Sequence, residues 1–245
     1  MEWRSSFEEQ REEFSAMPLE HLKERMLEMI YWSGAGLVKT GKFDLSKGGN
    51  SSVYFDMRPA LFNGDFGNYA GYLGSLILDE LDRKEGCEHY PAGIYSGGVP
   101  LALGIMSYSG REALGINVKP DRGEQEIDGV FHKGRNYVIV DDVGTSGGSI
   151  LEAAKKVRKE GGIVTQAIAL LDRQKGAKEN LEKEGIGFSS FFTSREILNG
   201  WNKLYLWRPP NTGELKVPVP KEKIPRIMGE EQVTFYRDYV KSFLV

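Results

Sequence analysis

Val138-Ile139-Val140-Asp141-Asp142-Val143-Gly144-Thr145-Ser146-Gly147-Gly148-Ser149-Ile150 is the stretch on which the rest of the chain depends. The apolar run from Tyr137 to Val140 fits a central parallel strand covered on both faces. Asp141 and Asp142 stand at its end, a loop of small residues follows, and a helix is expected from about Gly147. Thr145, Ser146, Gly147, Gly148 and Ser149 leave their backbone N–H groups uncovered. The helix aims its positive end at the same place, and the two together make a cradle for phosphate. Asp141 and Asp142 repel a phosphate, so they suit the hydroxyls of a polyhydroxylated group such as a ribose. The stretch therefore predicts a site for ribose 5-phosphate. Glycine turns between strand and helix are common, but an acidic pair followed so closely by Thr145 to Ser149 sets this one apart from a structural turn. It is not the nucleoside-triphosphate P-loop, because the spacing Gly-x-x-x-x-Gly-Lys is absent.

Strand and helix signals alternate on both sides of this stretch. Ala92 to Tyr95 reads as a short strand, and Ser96-Gly97-Gly98-Val99-Pro100 as a tight turn into a helix. Ala113 to Val118 reads as a strand and 119–135 as a polar connection. After the 147–160 helix come a strand over Ile163 to Leu171, a helix near Ala177 to Glu184 and a last strand over Phe188 to Phe192. Such alternation predicts an α/β fold with a doubly wound parallel sheet, whose ligands bind beyond the carboxyl ends of the strands. Ser96 to Gly98, residues 119–126, the Asp141-Asp142 loop and Asp172-Arg173 all fall at those ends.

Toward the N-terminus, 1–17 is a charged lead-in, helical or loose. From Pro18, the residues Leu19, Leu22, Met26, Met29 and Ile30 recur at helical spacing up to about Ser33-Gly34. Two β-like runs between Phe43 and Asp56 flank Gly48-Gly49-Asn50 and predict a hairpin. Phe62 to Lys84 reads as a long helix. Residues 18–60 then form an N-terminal helix and hairpin, 61–199 the core, and 200–245 a C-terminal extension rich in Trp and Pro that carries no motif.

The 245 residues suffice for one large α/β domain, and the net charge of −3 gives no argument for nucleic acid or an anionic membrane. No apolar run approaches the roughly 20 residues that span a bilayer. Cys87 is the single cysteine, which precludes an internal disulfide and suits a reducing cytoplasm. With three histidines and one cysteine scattered along the chain, a His/Cys zinc site is not expected, and no residue is assigned as a direct metal ligand.

The 138–150 stretch closely resembles the phosphoribosyl-pyrophosphate motif of type I phosphoribosyltransferases. Asp172-Arg173-Gln174-Lys175-Gly176-Ala177 is similar to the Asp-Arg-Gln-Glu-Gly segment of orotate phosphoribosyltransferases, and Ser96 to Ala102 to their pyrophosphate loop. The 43–58 hairpin resembles their N-terminal hood. The likeness runs over roughly residues 20–197, with the motifs in the family's order. It implies the type I phosphoribosyltransferase fold with a small N-terminal hood. It also implies transfer of ribose 5-phosphate from phosphoribosyl pyrophosphate to orotate, giving orotidine 5′-monophosphate and pyrophosphate.

By the same resemblance, Asp141 and Asp142 hold the ribose, and Val143, Gly144 and Thr145 to Ser149 wrap the 5-phosphate. Ser96, Gly97 and Gly98 offer backbone N–H groups to the pyrophosphate. Lys47, Tyr54, Phe55, Thr145 and Arg173 surround the base, while Lys119 and Arg122 with Asp142 serve catalysis. Mg²⁺ is implied through pyrophosphate oxygens and water, as is a homodimer. Two departures stand out. The family's Arg-Lys-x-x-Lys-x-His-Gly loop is here the shorter run Val118 to Glu126, with Val118 in place of the first Arg and no His. Glu124 and Glu126 add negative charge where a pyrophosphate is expected. These departures leave open a phosphoribosyltransferase for another base, and a non-catalytic sensor of phosphoribosyl pyrophosphate or a nucleotide.

Overall fold

The computed structural model describes residues 2–32, 38–44, 50–120 and 125–197. The side chains before residue 9 and from 31 to 54 lie outside that description, as do Lys47, Arg122, Glu124 and the whole C-terminal extension.

At the centre is a six-stranded sheet in the order β5-β4-β3-β6-β7-β8. Its strands are β3 (His89–Ile94), β4 (Leu114–Ile116), β5 (Ile127–Asp128), β6 (Asn136–Gly144), β7 (Ile163–Asp172) and β8 (Gly187–Thr193). β3 pairs in parallel with β4 and β6, β6 with β7, and β7 with β8. Only β5 runs antiparallel, on the outer edge of β4. This short strand lies in the stretch read as a polar connection. Two residues are too few for period-2 patterning to register.

Residues of β6 alternate between two cores, as side chains on a strand must. Val138 and Val140 join the cluster with α4 (Gly64–Glu85), α5 (Gly98–Ser109) and α2 (Leu19–Trp32). Tyr137 and Ile139 join Ile150, Ala153, Ala154 and Val157 of α6 (Gly148–Lys159) and Leu181 of α7 (Ala177–Glu182). Val138, Ile139 and Val140 are wholly buried. Side chains of this kind each contribute roughly 1.5–3 kcal/mol on burial, which explains why the stretch reads as a sheet centre.

The expected helices and the hairpin are present. α1 (Glu2–Ser15) is a helix, and its Phe14 is buried against Tyr69, Tyr72 and Tyr108. The lead-in is thus part of the core layer formed by α2, α4 and α5. β1 (Val38–Asp44) pairs antiparallel with β2 (Asn50–Phe55), starting upstream of Phe43. The turn at 45–49 lies outside the described residues. A short helix, α3 (Arg58–Leu61), links β2 to α4.

The strand order reverses between β3 and β6. β3 leads through α5 outward to β4, whereas β6 leads through α6 to β7 and through α7 to β8 on the other side. Where neighbouring strands send their connections in opposite directions, a crevice opens beyond their carboxyl ends. Here that crevice lies between residues 96–98 and 141–149.

Candidate active site

Two glycine-capped helix ends meet at this crevice. α5 begins after Gly97 and α6 after Gly147, and neither cap makes a side-chain hydrogen bond to its first turn. The first backbone N–H groups of both helices are therefore left for an outside acceptor. Gly147 has φ +78°, a conformation that a side chain resists, and a Cβ there would come within 3.1 Å of Leu181. The Asn180 side chain of α7 donates to the Ser146 carbonyl at 3.1 Å, bracing the loop from below. The loop of small residues and the helix after it thus stand as expected, with the helix starting at Gly148.

Asp141 and Asp142 sit at the end of β6, and the Asp142 N–H donates to the Asp141 carboxylate at 2.9 Å. Burial pushes the Asp141 carboxyl well above its ordinary range, and the adjoining Asp142 charge adds to the effect. Burial also raises Asp142, opposed by its hydrogen bonds with Asp141 and the Val143 N–H and by the Arg58 charge. Two crowded carboxylates favour one negative charge between them over two.

A Cβ on Gly97 would lie 2.2 Å from the Asp142 carboxyl carbon, and one on Gly98 2.1 Å from the Val140 carbonyl oxygen. The 96–98 turn therefore packs directly on the acidic pair. No side chain fits between them, which is the physical need for Gly-Gly. Ser96 is exposed at the rim, with a cis peptide bond between Tyr95 and Ser96.

On the other flank, Arg173 follows β7, and its N–H donates to the Gly144 carbonyl at 2.8 Å. The Arg173 guanidinium lies 5.6 Å from the centre of the Phe55 ring, so β2 and β7 bring two of the expected base contacts together. Both residues are largely buried, Arg173 at 9% exposure. Thr145 is half-buried, within the phosphate loop that follows β6. Tyr54 lies on β2, its side chain outside the described residues.

Lys119 stands exposed just beyond β4, its backbone N–H bound to the Asn117 side chain at 3.1 Å. Val118, where the resembled family carries Arg, packs against the α6 core instead. Glu126 does not crowd a pyrophosphate. Its carboxylate pairs with Lys156 at 2.7 Å and Lys159 at 3.8 Å, both on α6, while its backbone carbonyl accepts from the Asn117 N–H. The hydrogen bond from Lys156 holds the Glu126 carboxyl below its usual value.

Two functional candidates escape a motif reading. Asp56 is buried and holds Arg58 through two hydrogen bonds, at 2.7 and 2.8 Å, and the charges of both residues act on Asp142. Their signal is the i, i+2 charge pair straight after an apolar hairpin strand, which is too common to stand out alone.

No family model matches the chain. Orotate phosphoribosyltransferase from Methanocaldococcus jannaschii is 34% identical over 164 residues, covering 66% of this chain and 90% of the relative. The enzyme of the same name from Methanothermobacter thermautotrophicus is 34% identical over 170 residues, covering 68% and 89%. The crystal structure of orotate phosphoribosyltransferase from Aeropyrum pernix superposes with a TM-score of 0.58 at 28% identity, over 72% of this chain and 99% of that one. At 34% identity over nine-tenths of the Methanocaldococcus jannaschii enzyme, and with the reversal-point crevice of this sheet, the chain belongs to the orotate phosphoribosyltransferases.

Proposed function

We infer that the protein transfers ribose 5-phosphate from phosphoribosyl pyrophosphate to orotate. The observation that carries this reading is the contact of the Gly97-Gly98 turn with Asp142, which sets two anion-accepting helix ends on either side of one ribose-sized acidic patch. A molecule with a phosphate at one end, a diphosphate at the other and hydroxyls between matches that order. Thr145 to Ser149, with Val143 and Gly144, take the 5-phosphate, Asp141 and Asp142 the ribose hydroxyls, and Ser96 to Gly98 the diphosphate.

In the reaction the bond from C1′ to pyrophosphate breaks, carrying its electron pair to the leaving oxygen. A ring nitrogen of orotate forms the new bond to C1′ and gives up its proton. Positive charge develops on the ribose as the bond loosens, and the Asp141-Asp142 pair supplies negative charge to stabilise it. Arg173 beside Phe55 supplies a cation on an aromatic floor for the orotate carboxylate. Lys119 is the described basic group at the pyrophosphate rim. Arg122 and Lys47 complete the reading from outside the described residues.

The site suits Mg²⁺ held through pyrophosphate oxygens and water. Two like-charged carboxylates forced above their normal values are hard oxygen groups that a nearby cation relieves. When bound, the ion would neutralise the leaving pyrophosphate. The same resemblance supports a homodimer. A lone cysteine supports a cytoplasmic setting, and among the described residues no helix is long and apolar enough to cross a membrane.

The test is pyrophosphate release from phosphoribosyl pyrophosphate across a panel of bases with orotate included. Orotate should be the preferred acceptor, and Asp142→Asn should lower kcat/KM by about a hundredfold or more, as when a charged contact to the reacting group is lost. Tight ligand binding with no turnover on any base would replace the enzyme by a sensor.

A further inference from the structure

At the opposite rim of the sheet, Glu85 at the end of α4, Cys87 in the turn and His89 at the start of β3 converge. Their potential ligand atoms all lie within 4.8 Å of one another. We propose that these three side chains form a binding site for one zinc-class divalent cation, with a fourth position open to water. The sequence gives no hint of it from the scatter of its histidines. The spacing Glu85-x-Cys87-x-His89 becomes informative only when a helix end, a turn and a strand fold over one another.

His89 is fully buried. The Asp82 carboxylate is paired with Arg111 at 2.6 Å, and its other oxygen accepts both the His89 backbone N–H and Nδ1, at 2.9 and 2.8 Å. Nδ1 is thus turned to Asp82, and Nε2 is the ring nitrogen aimed at the other two side chains. Nε2 lies 3.2 Å from Glu85 Oε2 and 4.0 Å from Cys87 Sγ. A histidine that binds a metal through one ring nitrogen and donates its other ring N–H to a carboxylate is the usual outer-shell arrangement.

The remaining partners hold the cluster in place. Glu85 accepts hydrogen bonds from Thr165 at 3.0 Å and from Gln166, both on β7, and neither donor carries a charge. Arg111, the nearby cation, is engaged by Asp79, Asp82 and the His89 carbonyl. Among the described residues, no lysine or arginine pairs with Glu85.

Two of the three separations can be set against a zinc site, and the third, between Glu85 and Cys87, is within 4.8 Å. Around a tetrahedral zinc ion with bonds of about 2.0–2.3 Å, a nitrogen and an oxygen ligand stand about 3.3 Å apart, and a nitrogen and a sulfur about 3.5 Å. The nitrogen-to-oxygen distance is already met. Cys87, half-exposed and in a turn, needs to move inward by about half an ångström. Burial and the charges of Glu85 and Asp82 push its thiol upward, so an incoming cation displaces a proton from sulfur and relieves a locally negative site.

The experiment is titration of metal-free, full-length protein with Co²⁺, followed by displacement with Zn²⁺. Cys87 is the chain's only cysteine, so a thiolate-to-cobalt charge-transfer band has one possible source. The band should saturate at one Co²⁺ per chain and vanish on adding Zn²⁺. Cys87→Ser should abolish it with an unchanged thermal midpoint in the absence of metal. His89→Gln should weaken Zn²⁺ binding by about a hundredfold or more, above the range typical of outer-shell changes. If His89→Gln does not fold, calorimetric Zn²⁺ titration of Cys87→Ser against the unaltered protein decides the matter. No charge-transfer band, or equal Zn²⁺ affinity in Cys87→Ser, would overturn the site and leave His89 as a buried structural bridge between Asp82 and Glu85.

Discussion

Asp141 carries a heavy electrostatic burden, because it is buried beside a second carboxylate. Its carboxyl titrates higher in the folded protein than in the unfolded chain. Its contribution to stability is therefore complete below the unfolded value, about 3.9, and is lost as pH rises through the folded value. Asp141→Asn keeps the shape of the protonated acid and does not titrate. The variant should match the unaltered protein near pH 4 and exceed it by about 0.5–2 kcal/mol near pH 7, a range usual when a strained functional group is relieved. Urea unfolding at both pH values checks this, and a gain that shrinks toward neutrality would refute it. Turnover should fall at the same time, since the crowding that destabilises the fold is what receives the ribose. Gly97 is the counterpart across the crevice. Gly97→Ala places a methyl 2.2 Å from the Asp142 carboxyl carbon, so the carboxylate must shift. A displacement of about 1 Å at a reacting centre costs on the order of a hundredfold in rate, and kcat/KM for pyrophosphate release should fall by that much.

Elements differ in how openly the chain announces them. The strands β6 and β7 declare themselves by apolar runs because both of their faces are buried, and the helix α6 by period because it buries one continuous face. β5 and α3 do not, since two- and four-residue elements are held by neighbours rather than by pattern. Glu126 shows the consequence for function. Read along the chain it is an unwanted negative charge at the pyrophosphate loop. In space, β5 turns it toward Lys156 and Lys159 of α6. The charge of α1 hides its role in the same way, for a polar helix needs only one large side chain to anchor it. Phe14 is 6% exposed, with its ring stacked on Tyr69 at 4.7 Å and 5.3 Å from Tyr72. Phe14→Ala should cost about 3–5 kcal/mol, as for other buried aromatic truncations. Phe14→Leu should cost under about 1.5 kcal/mol. Denaturant midpoints separate the two, and equal small losses would mean that α1 is not part of the cooperative core.

Across the whole molecule, the fold and the small-residue loop after β6 were legible because both follow from one rule: parallel strands send their loops to one rim, and small residues there expose backbone N–H groups. Asp56, Arg58 and the Glu85-Cys87-His89 cluster were not, because each depends on contacts between segments that no periodicity links. Among the described residues the two apolar clusters run from Phe14 to Ile197, and the proposed site residues lie inside the same limits. The core should therefore not depend on residues 200–245 for ligand binding. A chain ending at residue 199 should fold with a cooperative transition and bind phosphoribosyl pyrophosphate with a Kd within about threefold of the full chain, a difference under roughly 0.7 kcal/mol. Calorimetric titration of both chains measures it. A loss of tenfold or more in the shortened chain, with its unfolding midpoint unchanged, would instead place part of the C-terminal extension in the substrate site.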